Sequence, residues 1–150
     1  MRALIQLIDT AEVTVEGKLV GSSGPGLCIF LGVVPEDTED TAARLWKKIL
    51  RLRIFPDADG KTNLSLQDTG GSVLIVSQFT LCADCSHGNR PSFTGAAKPE
   101  PAKRLYEAFL EDARTDLGES RVGHGEFGAM MDVSLVNKGP FTIWLDTETL

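Results

Sequence analysis

The chain has 150 residues, 42% of them hydrophobic, which suits one compact domain with a sizeable core. Its 15 Lys and Arg against 21 Asp and Glu leave a net charge of −6, so a nucleic-acid partner would have to be held by a local basic patch. Three cysteines, an odd number, argue against a disulfide framework and for free thiols.

From the N-terminus, MRALIQLI, AEVTV and KLVG read as strands, the last two joined through Glu16-Gly17. The early Gln6, Asp9, Glu12 and Glu16 break any secretory pattern. GSSGPG at 21–26 is a tight connection, and GLCIFLGVV is a continuous apolar run suited to a strand buried on both faces. That run is far shorter than the roughly 20 residues of a membrane span, so the expectation is a cytoplasmic protein with no membrane partner. A helix is expected from Asp37 or Thr38, because Ala42, Leu45, Trp46, Ile49 and Leu50 recur on one helical face.

A short strand is expected around Arg53–Phe55, then a turn in PDADGKTN, then a buried strand through GGSVLIVSQFTL. CADCSHGNRPSFTGAAKPE is a long loop of the kind that is usually functional or mobile. A second helix runs from about Glu100 to Leu117, burying Ala102, Leu105, Tyr106, Phe109, Ala113 and Leu117, with Gly118 as its stop. Near the end, DVSLV and FTIWLD read as strands separated by NKGPFT, where Gly139-Pro140 should make a turn or a break. The order implies an α/β domain over residues 1–150, with a mixed, largely antiparallel sheet and two main helices packed on it.

Conventional catalytic groups are few. The two histidines, His87 and His124, lie in polar or Gly-rich surroundings, and neither a G-x-S-x-G elbow nor a Walker-type loop is present. Cys82, Cys85 and His87, with His124 as a fourth, have a spacing zinc would accept; the other reading is two loop thiols at a strand end. Cys28, inside LCIFLG, is expected in the core. Arg44, Lys47, Lys48 and Arg51 form one helical stripe, either a plain solvated face or a seat for an RNA backbone. Ser77, Gln78 and Thr80 interrupt apolar sequence just before the long loop, where they either satisfy backbone groups or carry function.

SQFTL at 77–81 together with NKGPFT at 137–142 resembles the two signature motifs of the D-aminoacyl-tRNA deacylases, SQFTL and N-x-G-P-x-T. The similarity extends along nearly the whole chain, through LIQ, VTVEG, GLCIFLGV, RIFPDADGKTNLSL, RPSF and GEFGAMMDVSLVN. One position departs: the family commonly has an arginine where this chain has Leu7, and that arginine is thought to brace the Gly-Pro segment.

The resemblance implies a deacylase-like fold in a homodimer. In it the Gly139-Pro140 of each subunit, with a cis peptide bond that proline makes attainable, reaches the partner's active site as a chiral filter. It implies hydrolysis of the ester of D-aminoacyl-tRNA or glycyl-tRNA with help from the RNA's own 2′-hydroxyl, and no cofactor or metal. Phe79 and Thr80 would supply backbone N–H groups to the oxyanion, while Ser77, Gln78, Met131 and Asn137 shape the substrate pocket. Three alternatives remain beside it: the Thr80 hydroxyl as a nucleophile, a non-catalytic RNA-binding homologue, and a zinc-dependent hydrolase using Cys82, Cys85 and His87.

Overall fold

The computed structural model describes residues 1–150. The chain runs through strands β1 (Arg2–Val15), β2 (Lys18–Ser23) and β3 (Gly26–Gly32) into helix α1 (Glu39–Arg51). After a small two-stranded unit, β4 (Phe55–Pro56) and β5 (Thr62–Leu64), come the single turn α2 (Leu66–Thr69) and strand β6 (Ser72–Ser77). A 3-10 turn at Phe79–Cys82, helix α3 (Pro99–Leu117), β7 (Val122–His124) and β8 (Asp132–Asp146) complete it.

β1 is the organising strand. One of its edges pairs antiparallel with β3 over Arg2–Ile8 and with β2 over Ala11–Val15, and the other pairs antiparallel with β8 along almost its full length. β6 and β7 then add in parallel beyond β3, giving the mixed sheet that the order of elements implied. MRALIQLI and AEVTV are therefore one strand and not two. Their shared strand changes its inward face at Asp9, where the register against β8 shifts between Ile8 and Thr10. Ala3, Ile5 and Leu7 face the main core, whereas Ala11 and Val13 face the second cluster, as one inserted residue requires.

The main core lies between the sheet and the two long helices. The predicted stripe of α1 is wholly buried, and so are Ala102, Leu105, Tyr106, Phe109, Ala113 and Leu117 of α3. Thr38 starts α1 through a capping box with Thr41, and Gly118 ends α3. Trp46 meets Phe109 edge-on with centroids 5.6 Å apart, and its indole N–H donates to Asp116 at 2.8 Å. Leu45 and Ile75 have no exposed surface, so truncating either to Ala should cost about 2–5 kcal/mol.

A smaller cluster of Ile8, Ala11, Val13, Cys28, Leu74 and Val76 covers the opposite face of the sheet. There β2 and β7 approach so closely that only glycine fits. A Cβ on Gly21 would lie 2.1 Å from the carbonyl oxygen of His124, and one on Gly123 would lie 2.1 Å from that of Ser22. No helix is long and apolar enough to cross a membrane.

Two expectations change on contact with the fold. The strand through GGSVLIVSQFTL stops at Ser77, and FTLC winds into a 3-10 turn because β3, the strand it paired with, ends at Gly32. NKGPFT is not a turn between two strands. Both flanks pair with the same β1 in the same direction, and Lys138–Phe141 form an excursion opposite Leu7 alone.

Candidate functional site

β3 and β6 run parallel and end together, with Leu31 opposite Ser77. The N–H of Gln78 donates to the Leu31 carbonyl at 2.8 Å, which fixes where the 3-10 turn begins. Within that turn Leu81 N–H donates back to the Gln78 carbonyl, but the N–H groups of Phe79 and Thr80 stand in the first turn and have no carbonyl of the helix to meet. Both residues are exposed, Phe79 at 58%. The result is a pair of backbone donors without a carbonyl partner, on two exposed residues at the end of a buried strand.

The turn rests on Gly32, where a Cβ would lie 3.1 Å from the Gln78 carbonyl oxygen and 3.2 Å from both Leu81 Cβ and Cys82 Sγ. The amide of Gln78 donates to the Thr80 hydroxyl at 2.5 Å. An amide N–H cannot accept a proton, so this contact orients the hydroxyl without activating it. Phe79 and Phe93 pack edge to face at 5.3 Å and leave an exposed aromatic ledge beside the turn. The long loop is tied at its base: the thiol of Cys82 (3.6 Å) and the N–H of Ala97 (2.9 Å) both donate to the Val33 carbonyl. Asp84 and Ser92 close it further through a two-bond bridge.

Arg2 holds the turn from behind. Its Nη1 donates to the Leu81 carbonyl at 3.3 Å, and its Nε pairs with Asp146 at 3.2 Å.

The Gly139-Pro140 peptide bond is cis, and both residues are exposed. Asn137 clamps the excursion at its neck: Nδ2 donates to the carbonyls of Leu7 (2.8 Å) and Phe141 (3.0 Å), and Oδ1 accepts from Phe141 N–H (3.2 Å). Lys138 pairs with Asp9 at 3.0 Å, and Gln6 donates to Thr142 at 3.2 Å. Leu7 itself is buried in the core, so the brace at this position runs through its carbonyl oxygen and not its side chain. A Cβ on Gly139 would fall 2.0 Å from the N of Phe141, so the excursion has no room for a side chain there.

Within one chain these two features stand apart, because β1 and β3 separate β8 from β6. Three inter-strand spacings amount to about 14 Å. Met131 packs over Gly125, where an added Cβ would lie 2.6 Å from its sulfur, and joins the second core cluster. Arg44, Lys47, Lys48 and Arg51 are exposed on α1, with the Arg44 guanidinium donating to the Thr147 carbonyl at 3.1 Å.

The zinc arrangement does not assemble. Cys82 is buried, Cys85 and His87 are exposed, and His124 turns its Nδ1 to the carbonyl of Gly125 at 2.8 Å; no three His, Cys, Asp or Glu side chains converge. Burial raises the pKa of Cys82 and pushes that of Cys28 up to about 12, so both favour the neutral thiol. Cys28 lies in the second core cluster.

Sequence reasoning missed Arg2, the edge-to-face packing of Phe93 and Phe79, and the Lys138–Asp9 pair. Arg2 reaches its acceptor across 79 positions of chain, and no local pattern signals such a contact.

The profile of the D-Tyr-tRNA(Tyr) deacylase family matches residues 4–146. The D-aminoacyl-tRNA deacylase of Deinococcus radiodurans is 54% identical over 146 residues, covering 97% of this chain and 99% of that one. That of Desulfatibacillum aliphaticivorans is 53% identical over 148 residues, covering 99% and 100%. Among solved structures, a c-Myc DNA unwinding element binding protein superposes with a TM-score of 0.92 at 39% identity, covering 97% of this chain and 98% of its own. A probable eukaryotic D-amino acid tRNA deacylase shares the fold, with a TM-score of 0.87 at 20% identity and coverage of 96% and 97%.

Proposed function

The chain belongs to the D-Tyr-tRNA(Tyr) deacylase family, and from that premise we propose that it hydrolyses the ester joining a D-amino acid, or achiral glycine, to the terminal adenosine of tRNA. The observation that carries the reading is the Phe79–Thr80 turn, with two unpartnered backbone donors on exposed residues at the end of a buried strand and only an amide on the Thr80 hydroxyl.

Water adds to the ester carbonyl carbon, and its proton passes by way of the vicinal 2′-hydroxyl of the ribose to the departing 3′-oxygen. The carbonyl oxygen gains negative charge and takes the N–H groups of Phe79 and Thr80, each worth about 2.7–4 kcal/mol in the transition state. The bond from carbon to the ribose oxygen then breaks, leaving a free amino acid and uncharged tRNA. Ser77 and Gln78 line the pocket for the α-amino group and the adenosine. Thr80 acts through its backbone, because a nucleophilic hydroxyl needs an adjacent base and its partner here is a donor.

Stereochemical choice falls to Gly139 and Pro140. Their backbone lies beside the substrate Cα, where an L side chain collides and a D side chain or a hydrogen does not. The separation of β8 from β6 supports supply of this element by a second protomer. Asn137 sets its orientation, and Met131 borders the pocket so formed.

The test is incubation with tRNA charged with the two enantiomers of one amino acid. Release of the D form with the L ester intact supports the reading; two intact esters would mean a binding module only. Sedimentation at micromolar concentration should give twice the chain mass.

A further inference from the structure

Of the charged groups on the long helices, those of α3 are largely paired. Lys103 meets Glu107, Arg104 meets Glu39, and Arg114 meets Glu111 and Glu119. Lys47, Lys48 and Arg51 of α1 have no salt bridge at all, in a chain carrying 21 carboxylates. They line a groove of about 490 Å³ with Arg44, Arg53, Leu52 and Leu150, and no Asp or Glu contributes to its wall. Two of its members are fixed in place. Arg44 is held by the Thr147 carbonyl, and Arg53 donates through Nε to the Asn63 carbonyl at 2.8 Å and through Nη2 to the Asn63 side chain.

The direction of this stripe is informative. α1 follows β3, whose C-terminal end supports the Phe79–Thr80 turn, and it spans about 20 Å. The cations begin in its second turn and continue past its end, and the first of them, Arg44, bonds to the carbonyl of Thr147, next to the Asp146 that holds the Arg2 bonded to Leu81 of the turn. A surface of this kind, elongated and lined by five cations that make no salt bridge, with Asp112 of α3 as a carboxylate near Lys47, matches a polyanion with regularly spaced charges and not a small acid.

We propose that the groove of Arg44, Lys47, Lys48, Arg51 and Arg53 seats the phosphodiester backbone of the RNA substrate while its 3′ end occupies the Phe79–Thr80 turn. This rests on the function proposed above and names the face that receives the body of the RNA. The contacts are to phosphates, so they select no sequence, and they govern KM more than kcat.

The test compares the wild type with the combined variant Lys47→Ala, Lys48→Ala, Arg51→Ala, whose side chains are exposed and absent from the catalytic turn. With D-aminoacyl-tRNA the variant should show a KM raised about 10–100-fold and a nearly unchanged kcat. Its plot of log affinity against log salt should flatten by roughly 0.7–0.9 per lost contact. With a D-aminoacyl-adenosine, which lacks the backbone, the two proteins should be equal. A control pair on α3, Lys103→Ala with Arg104→Ala, should behave as wild type. An unchanged KM and salt slope for tRNA in the triple variant overturns the proposal. If the wild type hydrolyses neither substrate, the functional reading fails. Direct binding of uncharged tRNA to both proteins then decides the groove by itself: weaker, less salt-sensitive binding by the variant supports it, and equal binding overturns it.

Discussion

Arg2 at the start of the first strand donates to the carbonyl oxygen of Leu81 at 3.3 Å, and Asp146 at the end of the last strand holds that guanidinium at 3.2 Å. Both chain ends thus bear on the turn that presents the Phe79 and Thr80 amides. Arg2→Ala should lower kcat roughly tenfold with KM within about twofold, since a displaced donor weakens the transition state and not substrate capture. Arg2→Lys, which keeps charge but loses the planar fork, should fall between. Steady-state kinetics beside a melting curve check this: equal losses of stability in both variants with unchanged kcat would reduce Arg2 to a structural tie.

Replacing Phe79 separates side chain from backbone. Gln78 lies outside the helical region, with φ −144° and ψ 80°, so a proline at 79 avoids the clash it makes with a preceding helical residue, and it removes the N–H at a first-turn position. Phe79→Pro should be slower than Phe79→Ala by a further 10²–10³-fold in kcat. Thr80→Ala should keep activity within about tenfold. Accumulation of an acyl-enzyme on wild-type Thr80 in single-turnover experiments would contradict the Thr80 expectation, and equal rates for Phe79→Pro and Phe79→Ala would contradict the other.

Asn137 makes three hydrogen bonds across the neck of the excursion. Asn137→Ala should cost about 1–3 kcal/mol of stability. It should also lower the preference for D- over L-aminoacyl-tRNA by about 10–100-fold, because a loosened backbone no longer excludes by shape. Asn137→Asp keeps the acceptor for Phe141 N–H but turns a carboxylate toward two carbonyl oxygens, so it should be no better than Ala. Rates with both enantiomers measure the ratio directly.

Cys28 and Tyr106 are buried acids that favour their neutral forms; burial pushes Cys28 up to about 12 from its ordinary 9.0 and raises Tyr106 from 10.0. A folded-state pKa above the unfolded one stabilises the fold below the unfolded value and loses that contribution as pH climbs toward the folded one. The contribution of these two groups to stability should therefore be constant up to about pH 9 and then decline, by at most roughly 1.4 kcal/mol per pH unit for each group. In urea titrations Cys28→Ala should show a shallower decline between pH 9 and 11 than wild type. At pH 8 a thiol reagent should label Cys85 alone among the three cysteines.

Much of this fold was legible because periodicity is a local property. The stripes of α1 and α3, the Thr38 start, the Gly118 stop and the buried run of β3 all follow from neighbours a few residues apart. What escaped depends on partners far along the chain. SQFTL reads as strand by composition, yet it bends at Gln78 because β3 ends beside it. DVSLV and FTIWLD read as two strands, yet a single β1 aligns both. The site followed the same division: Phe79, Thr80, Asn137, Gly139 and Pro140 were visible as motif residues, whereas the tie from Arg2 and the use of the Leu7 carbonyl were not. Side-chain identity at Leu7 left open what braces the segment, since the bond made there belongs to the main chain.

Residues 3–8 of β1 are hydrogen-bonded strands' common neighbour on both edges, with β3 on one side and β8 on the other. Their amides can meet solvent only when the whole sheet opens, so deuterium uptake there should proceed at the slowest rate in the molecule. The Phe79–Thr80 turn follows β6 and is bonded to the end of β3, and the excursion belongs to β8, and so neither can fray without disturbing this central beam. A ligand that slows isotope exchange in one should slow it in the other, and the two should age and fail together.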